Sequence, residues 1–470
     1  MIASRFKEIF TCKEGYTCMK KLSICFLMSF TAVIASAEAA GTRFHPNNLF
    51  VKMKNGQKLV KSPLMKSAKK IIGGLYLVKT NKLQALKKEL SNDSAVEYTQ
   101  NDFFAEKSAM PKLEVLEEST LAMKRFTEFN FVSFNDPDAS KLWAFNSTAG
   151  MNVSDAYDIL STSQSGPVIV AVVDTGVDHN HEDLKDIMWT NEKEIPGNGI
   201  DDDNNGYIDD IHGINTLVRD SQGRATMNTM ASHWHGTHVS GTIAATQNNG
   251  IGIAGVASNV KIMAIRTVPD DKDELDSDIV EAYKYAAENG AKIINCSFGK
   301  QVNEGGMVVR DVINEIGKKY NTLVIASAGN DSMGPWSWHN NDSSPKYPAS
   351  FDSETLLVIA STTSSGSLST FSNIGIKTVD VAAPGSNIYS TINGSKYGMA
   401  SGTSMASPNT SGVAAMVLGQ FPNLTAKELK AVLMNSVTPV AAFKNQIASG
   451  GRVNMQNALK KAAVIKRKTK

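Results

Sequence analysis

The chain has 470 residues, of which 42% are hydrophobic and 20% are charged, values that are ordinary for a folded globular protein. Its formal net charge is only +2, so the overall balance gives no support to a nucleic-acid-binding function. The length is sufficient for a large hydrophobic core and favours two folded units.

The first 40 residues predict a signal peptide. A pair of lysines precedes an apolar run that ends at Ala35, and small residues suited to cleavage follow. Met19 is the better candidate for the true start. Because the run is short for a membrane span, we expect a secreted protein, extracellular or periplasmic where an outer membrane exists, with no stable membrane anchor. Three of the four cysteines precede the cleavage site, and Cys296 remains without a disulfide partner.

Residues 41–110 predict a separate small α+β unit. Its second half has the pattern of a strand at 74–79, a Leu/Lys-rich helix and a strand at 96–98. This unit is basic, with 13 Lys and Arg against 5 Asp and Glu, whereas residues 111–470 carry 30 against 38. Opposite charge favours association of the two parts. We treat residues 111–135 as a linker and processing region.

Strands and helices alternate between residues 136 and 459, a pattern that predicts a parallel sheet with helices on both faces, a three-layer α/β/α domain. Predicted strands cover 168–173, 261–268, 292–298, 322–330 and 355–361. Predicted helices cover 275–289, 308–320, 405–420 and 426–435. A basic tail, 460–470, follows.

Asp174 and His235 occupy positions where catalytic groups are common. Asp174 ends an apolar strand, and ligands gather at the carboxyl ends of strands in open α/β sheets. His235 begins a helix of small residues. Each residue alone also fits a structural role, the aspartate as a turn cap and the histidine as a hydrogen-bonded core residue.

Ser404 and Asn330 complete a candidate catalytic set. Ser404 follows Gly402 and opens an apolar helix, where unpaired N–H groups favour developing negative charge. Asn330 follows Gly329 at the end of a buried strand. A helix cap and a left-handed turn residue are the corresponding structural interpretations.

The order Asp174, His235, Ser404 and the motifs around these residues resemble the subtilisin-like serine proteases, over residues 136–459. The resemblance implies that Ser404 is the nucleophile, His235 the general base, Asp174 the residue that orients it, and Asn330 an oxyanion donor. It also implies protein or peptide substrates and an acyl-enzyme intermediate. The expected substrate-pairing edge consists of Ser297, Phe298 and Gly299.

The same resemblance implies a propeptide and a structural calcium ion. Residues 41–110 correspond to the inhibitory propeptide, an intramolecular partner that the enzyme cuts from itself between about residues 104 and 125. The family's calcium loop is matched by the side chains of Asp183 and Asn249 and by carbonyls of Gln247, Ile251 and Ile253. We expect a monomer.

A second calcium site is suggested by spacing alone. Asp201, Asp203, Asn205 and Asp209 stand at positions one, three, five and nine of a loop with glycine at six, as in EF-hand loops. Position twelve is His212 instead of glutamate, and flanking helices are not predicted. A turn-rich acidic insertion is the alternative.

Other functions remain open at this point. A catalytically degenerate binding protein with the same fold is the main alternative. An aspartic protease needs two catalytic carboxylates, and the chain has one Asp-Thr-Gly triplet. His233, His235 and His238 lack the His-Glu-x-x-His pattern of zinc proteases. An acidic cluster at 270–278 suggests a preference for basic residues two to four positions before the cut.

Overall fold

The computed structural model describes residues 43–105, 111–115, 134–160, 166–270, 274–300, 306–332, 334 and 337–468. Its contacts divide the chain into two compact units, Met1–His45 and Pro46–Lys470. The first unit is described only at residues 43–45. The predicted signal peptide, most of the predicted linker and the last two residues of the tail therefore lie outside the described residues.

The first sheet is built mainly from residues before 106. Its elements are β1 (Phe44–Met53), β2 (Ser67–Lys70), β3 (Leu75–Lys79), helix α1 (Leu83–Ser91) and β4 (Val96–Ala105). A short strand from further along the chain, β10 (Glu274–Leu275), completes the order β10-β4-β1-β3-β2. The predicted strand, helix and strand correspond to β3, α1 and β4. Strand β4 pairs antiparallel with β10, which joins this sheet to the rest of the second unit.

The second sheet has ten strands, and its central strands are parallel. In spatial order they are β17 (Thr438–Pro439), β18 (Gly451–Arg452), β14 (Val381–Pro384), β13 (Leu356–Thr362), β12 (Leu323–Ser327), β11 (Ile293–Cys296), β6 (Val168–Asp174), β9 (Val260–Arg266), β7 (Asn215–Arg219) and β8 (Ala225–Thr226). Antiparallel pairs occur only at its two edges among the described strands.

Helices cover both faces of this sheet, as predicted. One face packs against α3 (His235–Ala244), α6 (Thr403–Gln420), α7 (Ala426–Met434) and α8 (Met455–Lys468), and the short α2 (Val153–Tyr157) lies in the same core. The other face packs against α4 (Asp276–Glu288) and α5 (Val308–Tyr320). The three-layer α/β/α prediction is confirmed.

Side-chain alternation along β6 explains the two cores. Val170 and Val172 enter the core beneath α3 and α6, whereas Ala171 and Val173 enter the core beneath α4 and α5. A strand that is covered on both faces has a continuous apolar sequence, because every side chain is buried. Asp174 continues the first set, since alternate residues share a face. It therefore lies on the same face as α3 and α6.

A small three-stranded sheet lies apart from the large one. Its hairpin consists of β15 (Ile388–Ile392) and β16 (Lys396–Ala400), and the strand β5 (Leu113–Glu114) adds to the free edge of β16. Within the described part of the chain, no helix has the length and apolar character needed to cross a bilayer.

Candidate active site

Asp174 and His235 form a buried hydrogen-bonded pair. His235 Nδ1 lies 2.7 Å from Asp174 Oδ1, and both side chains are 1% exposed. Gly236, the next residue, lets helix α3 approach the strand, because a Cβ there would lie 2.1 Å from the Gly176 carbonyl oxygen. The contact fixes the ring so that Nε2, the other nitrogen, is available. Nε2 is buried and has no hydrogen-bond partner among the described residues.

Ser404 lies in the first turn of α6 and is 4% exposed. Its hydroxyl donates to the Ser297 carbonyl at 3.0 Å, and the Ser297 hydroxyl donates back to the Ser404 carbonyl at 3.0 Å. Helices α6 and α3 pack closely where Gly412 faces the Ile243 carbonyl. The hydroxyl is therefore held on the β11 side, and rotation about its Cα–Cβ bond is needed to turn it toward another partner.

Asn330 has one end of its amide anchored and the other end available. Its Oδ1 accepts hydrogen bonds from the Thr403 backbone N–H at 2.8 Å and from the Thr403 hydroxyl at 2.9 Å. The Thr403 hydroxyl lies 3.1 Å from the Gly329 nitrogen as well. The Nδ2 group thus has a fixed direction next to the start of α6. The Ser404 N–H, in the first turn, lacks an intrahelical acceptor.

A pocket opens beside Ser404, between the chain segments that leave β11 and β12. One wall consists of residues 297–299, which are the three predicted substrate-binding residues, and the other consists of residues 327–330. The remaining lining residues are Pro111, Val268, Glu274, Lys346, Tyr347, Ala349 and Ser404. The structure thus brings the predicted edge, Asn330 and Ser404 to one pocket. Pro111 belongs to the predicted processing region.

The side chains of the calcium loop expected at Asp183 lie together, and the Asp183 carboxylate accepts several hydrogen bonds from the protein. Asp183 Oδ1 accepts from the Asn249 amide at 2.9 Å, and Oδ2 accepts from the Ile253 N–H at 3.0 Å and from the Tyr397 hydroxyl at 3.2 Å. The Gln247 side chain donates to the Gly255 carbonyl at 2.7 Å, whereas the ligand expected from this residue is its backbone carbonyl. Burial raises the pKa of Asp183.

Ile251 also belongs to that loop. Its N–H donates to Asn249 Oδ1 at 2.8 Å, so this amide oxygen is occupied by the loop's own backbone. The Tyr397 ring fills the space beside Gly252, where a Cβ would lie 1.9 Å from the hydroxyl oxygen. The structure thus brings Asp183, Asn249 and the 247–253 loop together, and a calcium ion at this loop stays a prediction.

The acidic loop does gather carboxylates, but not the expected set. Glu194, Asp203 and Asp210 each place an oxygen within 4.8 Å of the other two. Burial raises the pKa of Asp210 to about 6, against hydrogen bonds that lower it. Three hard oxygen ligands in this arrangement fit a divalent cation such as calcium.

All four spaced residues accept hydrogen bonds within the loop, Asp203 from the Asn205 N–H and Asn205 from the Tyr207 N–H. Asp201 accepts from the N–H groups of Asn205 and Gly206, and Asp209 accepts from the N–H groups of residues 197, 198 and 199. Asn205 donates to Asp210. The loop folds back on residues 194–199, and of the three spaced aspartates Asp203 belongs to the carboxylate cluster. The EF-hand ligand order stays a prediction.

Three described members of the acidic cluster at 270–278 form ion pairs, and the first is Asp270 with Arg266 at 3.5 Å. Asp276 pairs with Lys300 at 2.6 Å, and Asp278 pairs with Arg219. Burial nevertheless raises the pKa of Asp278 to about 6. Asp271 and Asp273 lie outside the described residues, and the expected preference for basic substrate residues stays a prediction.

The histidines at 233, 235 and 238 do not converge on one point. His238 Nε2 contacts the Ile388 carbonyl at 3.0 Å, while His235 points to Asp174. His233 Nδ1 accepts from the His235 backbone N–H. Among the described residues, the one cluster with metal-ligating geometry is the carboxylate group of Glu194, Asp203 and Asp210.

Comparison with known proteins decides the family. The profile of the subtilase family, peptidase S8, matches residues 165–457, more than half of the chain. The chain belongs to the subtilase family. The family predicted from its sequence motifs is thus confirmed.

Individual relatives agree with this subtilase assignment. Subtilisin-like protease 1 of Plasmodium berghei (strain Anka) is 33% identical over 341 residues, which cover 70% of this chain and 55% of that protein. The extracellular basic protease of Dichelobacter nodosus is 32% identical over 370 residues, which cover 70% and 58%. The chain spans little more than half the length of these curated relatives.

Among solved structures, fervidolysin from Fervidobacterium pennivorans, described as a keratinolytic enzyme related to subtilisin, has the same fold. The superposition has a TM-score of 0.65 at 21% sequence identity and covers 89% of this chain and 62% of fervidolysin. The likeness therefore extends across both the first sheet and the large sheet of this subtilase.

Sequence reasoning missed three residues that shape the site. Asn295 is fully buried in β11 and bonds the hydroxyls of Ser297, Ser407 and Ser411. A polar residue inside an apolar strand was the available signal. Glu194 and Lys346 carry no such signal, because only the folded loops bring them to their sites.

Titration of His238 gives this subtilase a predicted pH dependence. Burial lowers the pKa of His238 to about 3, whereas an unfolded imidazole titrates near about 6.5. The unfolded chain therefore binds more protons between these values, and stability is lost as the pH falls from about 6.5 toward about 3. In His238→Gln, we expect a shallower fall of melting temperature between pH 7 and pH 5.

The measurement is thermal unfolding of both proteins in a Ser404→Ala background, which prevents self-digestion. Equal slopes in the two proteins would show that His238 does not contribute.

Proposed function

We propose that the chain is a secreted serine endopeptidase that hydrolyses peptide bonds through Asp174, His235 and Ser404. The observation that carries this proposal is the buried 2.7 Å contact between His235 and Asp174, which leaves the opposite ring nitrogen without a described partner. A histidine held in this way is suited to act as a general base. A degenerate binding protein would have no need of it.

The proposed reaction begins when the Ser404 hydroxyl leaves the Ser297 carbonyl and turns to His235. Nε2 of His235 takes the hydroxyl proton as Oγ attacks the carbonyl carbon of the substrate. Asp174 stabilises the imidazolium that forms. The oxyanion receives hydrogen bonds from Asn330 Nδ2 and the Ser404 N–H, whose directions are fixed before reaction.

His235 then returns the proton to the leaving amine, and the acyl group stays on Ser404. A water molecule, deprotonated by the same nitrogen, attacks the acyl-enzyme and releases the second product. Release of the hydroxyl from Ser297 also frees that carbonyl. It is then available to accept a backbone N–H of the substrate, in the manner of an added strand.

The first sheet fits the role of an inhibitory propeptide. Strand β4 ends at Ala105 beside β10, and β5 begins at Leu113 beside β16. Pro111 lines the pocket next to Ser404. The segment between β4 and β5 therefore passes the pocket of the proposed nucleophile at Pro111, and we propose that the self-processing cut lies between residues 105 and 113.

Side chains of β4 cap two helices of the catalytic part. Asp102 accepts the Ser277 N–H at the start of α4 at 2.9 Å. Gln100 Oε1 accepts the N–H groups of Met307 and Val308 at the start of α5, at 2.6 and 3.0 Å. Helix N-termini carry unpaired donors and partial positive charge, which these acceptors satisfy.

Two further contacts join parts of unlike charge. Lys69 pairs with Glu281 at 2.8 Å, and the Tyr98 hydroxyl donates to Asp311 at 2.7 Å. The Lys69 contact agrees with the basic character of the first sheet, and its half-exposed lysine makes it sensitive to salt. Together these contacts support an intramolecular inhibitor that assists folding and blocks the cleft.

A structural calcium ion is proposed at Glu194, Asp203 and Asp210. Bound there, it would neutralise carboxylates that otherwise repel one another and hold the 194–210 loop to the sheet. Secretion is supported by the predicted signal peptide and by relatives named as extracellular proteases. Proteins or peptides are the proposed substrates.

Replacing the proposed nucleophile tests the enzyme class. Ser404→Ala is expected to reduce kcat on a peptide substrate to background, since loss of a triad serine costs roughly 10⁶-fold. The Ser404→Ala chain should also remain unprocessed, with the mass of the uncut chain in an intact-mass measurement. Ser258→Ala, a half-buried serine outside the pocket, is the control and should retain activity. Undiminished hydrolysis by Ser404→Ala would favour the binding-protein alternative.

The capping contacts predict how fast the inhibitor leaves. The double change Gln100→Ala and Asp102→Ala removes the acceptors of three helix N–H groups, and capping contacts are worth about 1 kcal/mol each. Two such changes amount to about 2 kcal/mol, so we expect the processed propeptide to dissociate roughly 30-fold faster, measured as a shorter lag before activity appears. Glu97→Ala, an exposed change on the same strand, serves as control. An unaltered lag in the double variant would show that these contacts do not hold the propeptide.

Calcium binding is tested by stability. A ligand at about 100 times its Kd stabilises a protein by about 2.7 kcal/mol. In a Ser404→Ala background, added calcium should raise the melting temperature, and Asp210→Asn should lose most of that rise. Asp202→Asn, in the same loop but outside the cluster, should keep it. A calcium response that survives Asp210→Asn would place the ion elsewhere.

A further inference from the structure

The pocket beside Ser404 contains a buried cation. Lys346 is one of its lining residues and is 4% exposed. It directly precedes Tyr347 and Pro348, and its backbone is fixed by two hydrogen bonds with Ser350. Hence the lysine belongs to a rigid part of the pocket.

The ammonium of Lys346 has an incomplete set of partners. Its Nζ lies 2.9 Å from Asp331 Oδ1, close enough for an ion pair, but the angle does not meet that of a hydrogen bond. Among the described residues no other acceptor bonds this nitrogen. The Lys346 side chain is 5% exposed and that of Asp331 is 25% exposed, so the lysine is the more deeply buried partner of the pair.

A lysine ammonium carries three N–H donors. Burying such donors without acceptors is costly, whereas a hydrogen bond to a charged group contributes about 1.5–3 kcal/mol. An oxygen atom delivered into the pocket would supply the missing acceptor. The other side chains of the lining are mostly apolar, including Val268, Phe298 and Ala349, and would enclose the methylene groups of the same substrate residue.

We propose that Lys346 is a specificity-determining residue that selects, immediately before the scissile bond, side chains ending in an oxygen acceptor, namely Gln or Glu. This inference rests on the proposed hydrolytic function, in which the pocket beside Ser404 receives that residue. Lysine and arginine are disfavoured because like charges repel in a desolvated pocket. Hydrocarbon side chains fit but leave the ammonium unsatisfied.

The two selected side chains differ in charge, because the Gln amide is neutral and the Glu carboxylate is negative. Asp331 opposes a second negative charge, whereas Lys346 attracts it. The shared requirement is the oxygen atom, so Gln and Glu are measured separately.

The test uses the full chain after self-processing and four peptides that differ only in the residue before the cut: Gln, Glu, norleucine or Lys. For the wild type, we expect kcat/KM for the better of Gln and Glu to exceed that for norleucine by at least tenfold, with Lys lowest. Lys346→Met keeps the length of the side chain without the charge. This variant should cleave norleucine at least as well as Gln and should lose the discrimination against Lys.

Lys430→Met is the matched control, because Lys430 also pairs with a buried aspartate, Asp380 at 3.2 Å, but is not among the lining residues. It should keep the wild-type order. If Lys346→Met does not fold, as judged by circular dichroism, Asp331→Asn replaces it. Removing that carboxylate should raise the ratio of Glu to Gln cleavage several-fold, and an unaltered ratio would overturn the proposal.

The remaining outcomes separate this inference from the proposed function. Equal cleavage of the four peptides, a wild-type preference for norleucine or Lys, or an unaltered order in folded Lys346→Met would overturn the role of Lys346 alone. Cleavage that persists in Ser404→Ala, or none by the wild type, would overturn the proposed function and this inference with it.

Discussion

The proposed active site depends on how helix α6 is held against strand β11. Asn295 in that strand is fully buried, donates to the Ser297 hydroxyl at 2.9 Å and accepts from the hydroxyls of Ser407 and Ser411 at 3.0 and 2.9 Å. Ser297 in turn exchanges two hydrogen bonds with Ser404. A fully satisfied buried network of this kind specifies one arrangement and makes any other costly. The position of Ser404 relative to strand β11 is therefore fixed.

The same edge of the sheet also receives the first part of the chain. Strand β4 meets β10, β5 meets β16, and acceptors on β4 satisfy the first turns of α4 and α5. Those helices pack on the face of the sheet opposite to α6. In the proposed role of the first sheet as a propeptide, its docking would order both the cleft and these two helices, which suits a sheet whose parallel strands are distant in sequence and slow to assemble.

Much of this architecture could be predicted, because it depends on local signals. The apolar runs of the central strands reflect burial on both faces, and Asp174, His235 and Ser404 stand where such strands end or helices begin. The acidic loop could not be predicted fully, since ligand spacing fixes geometry only when helices flank the loop, and here Glu194 and Asp210 replace Asp201 and Asp209 in the cluster. Lys346 gave no signal, because its burial depends on contacts with residues distant in sequence.

The central claim is that Ser404 is made nucleophilic by a histidine held on Asp174. It is tested most directly by treating the self-processed wild type with a fluorophosphonate, which reacts with activated serine hydroxyls, and mapping the adduct by peptide mass spectrometry. We expect one adduct in the wild type, on Ser404. In His235→Ala this adduct should be lost, while the circular dichroism spectrum of the variant stays that of the wild type. An adduct on another serine, or undiminished labelling of Ser404 in folded His235→Ala, would contradict it.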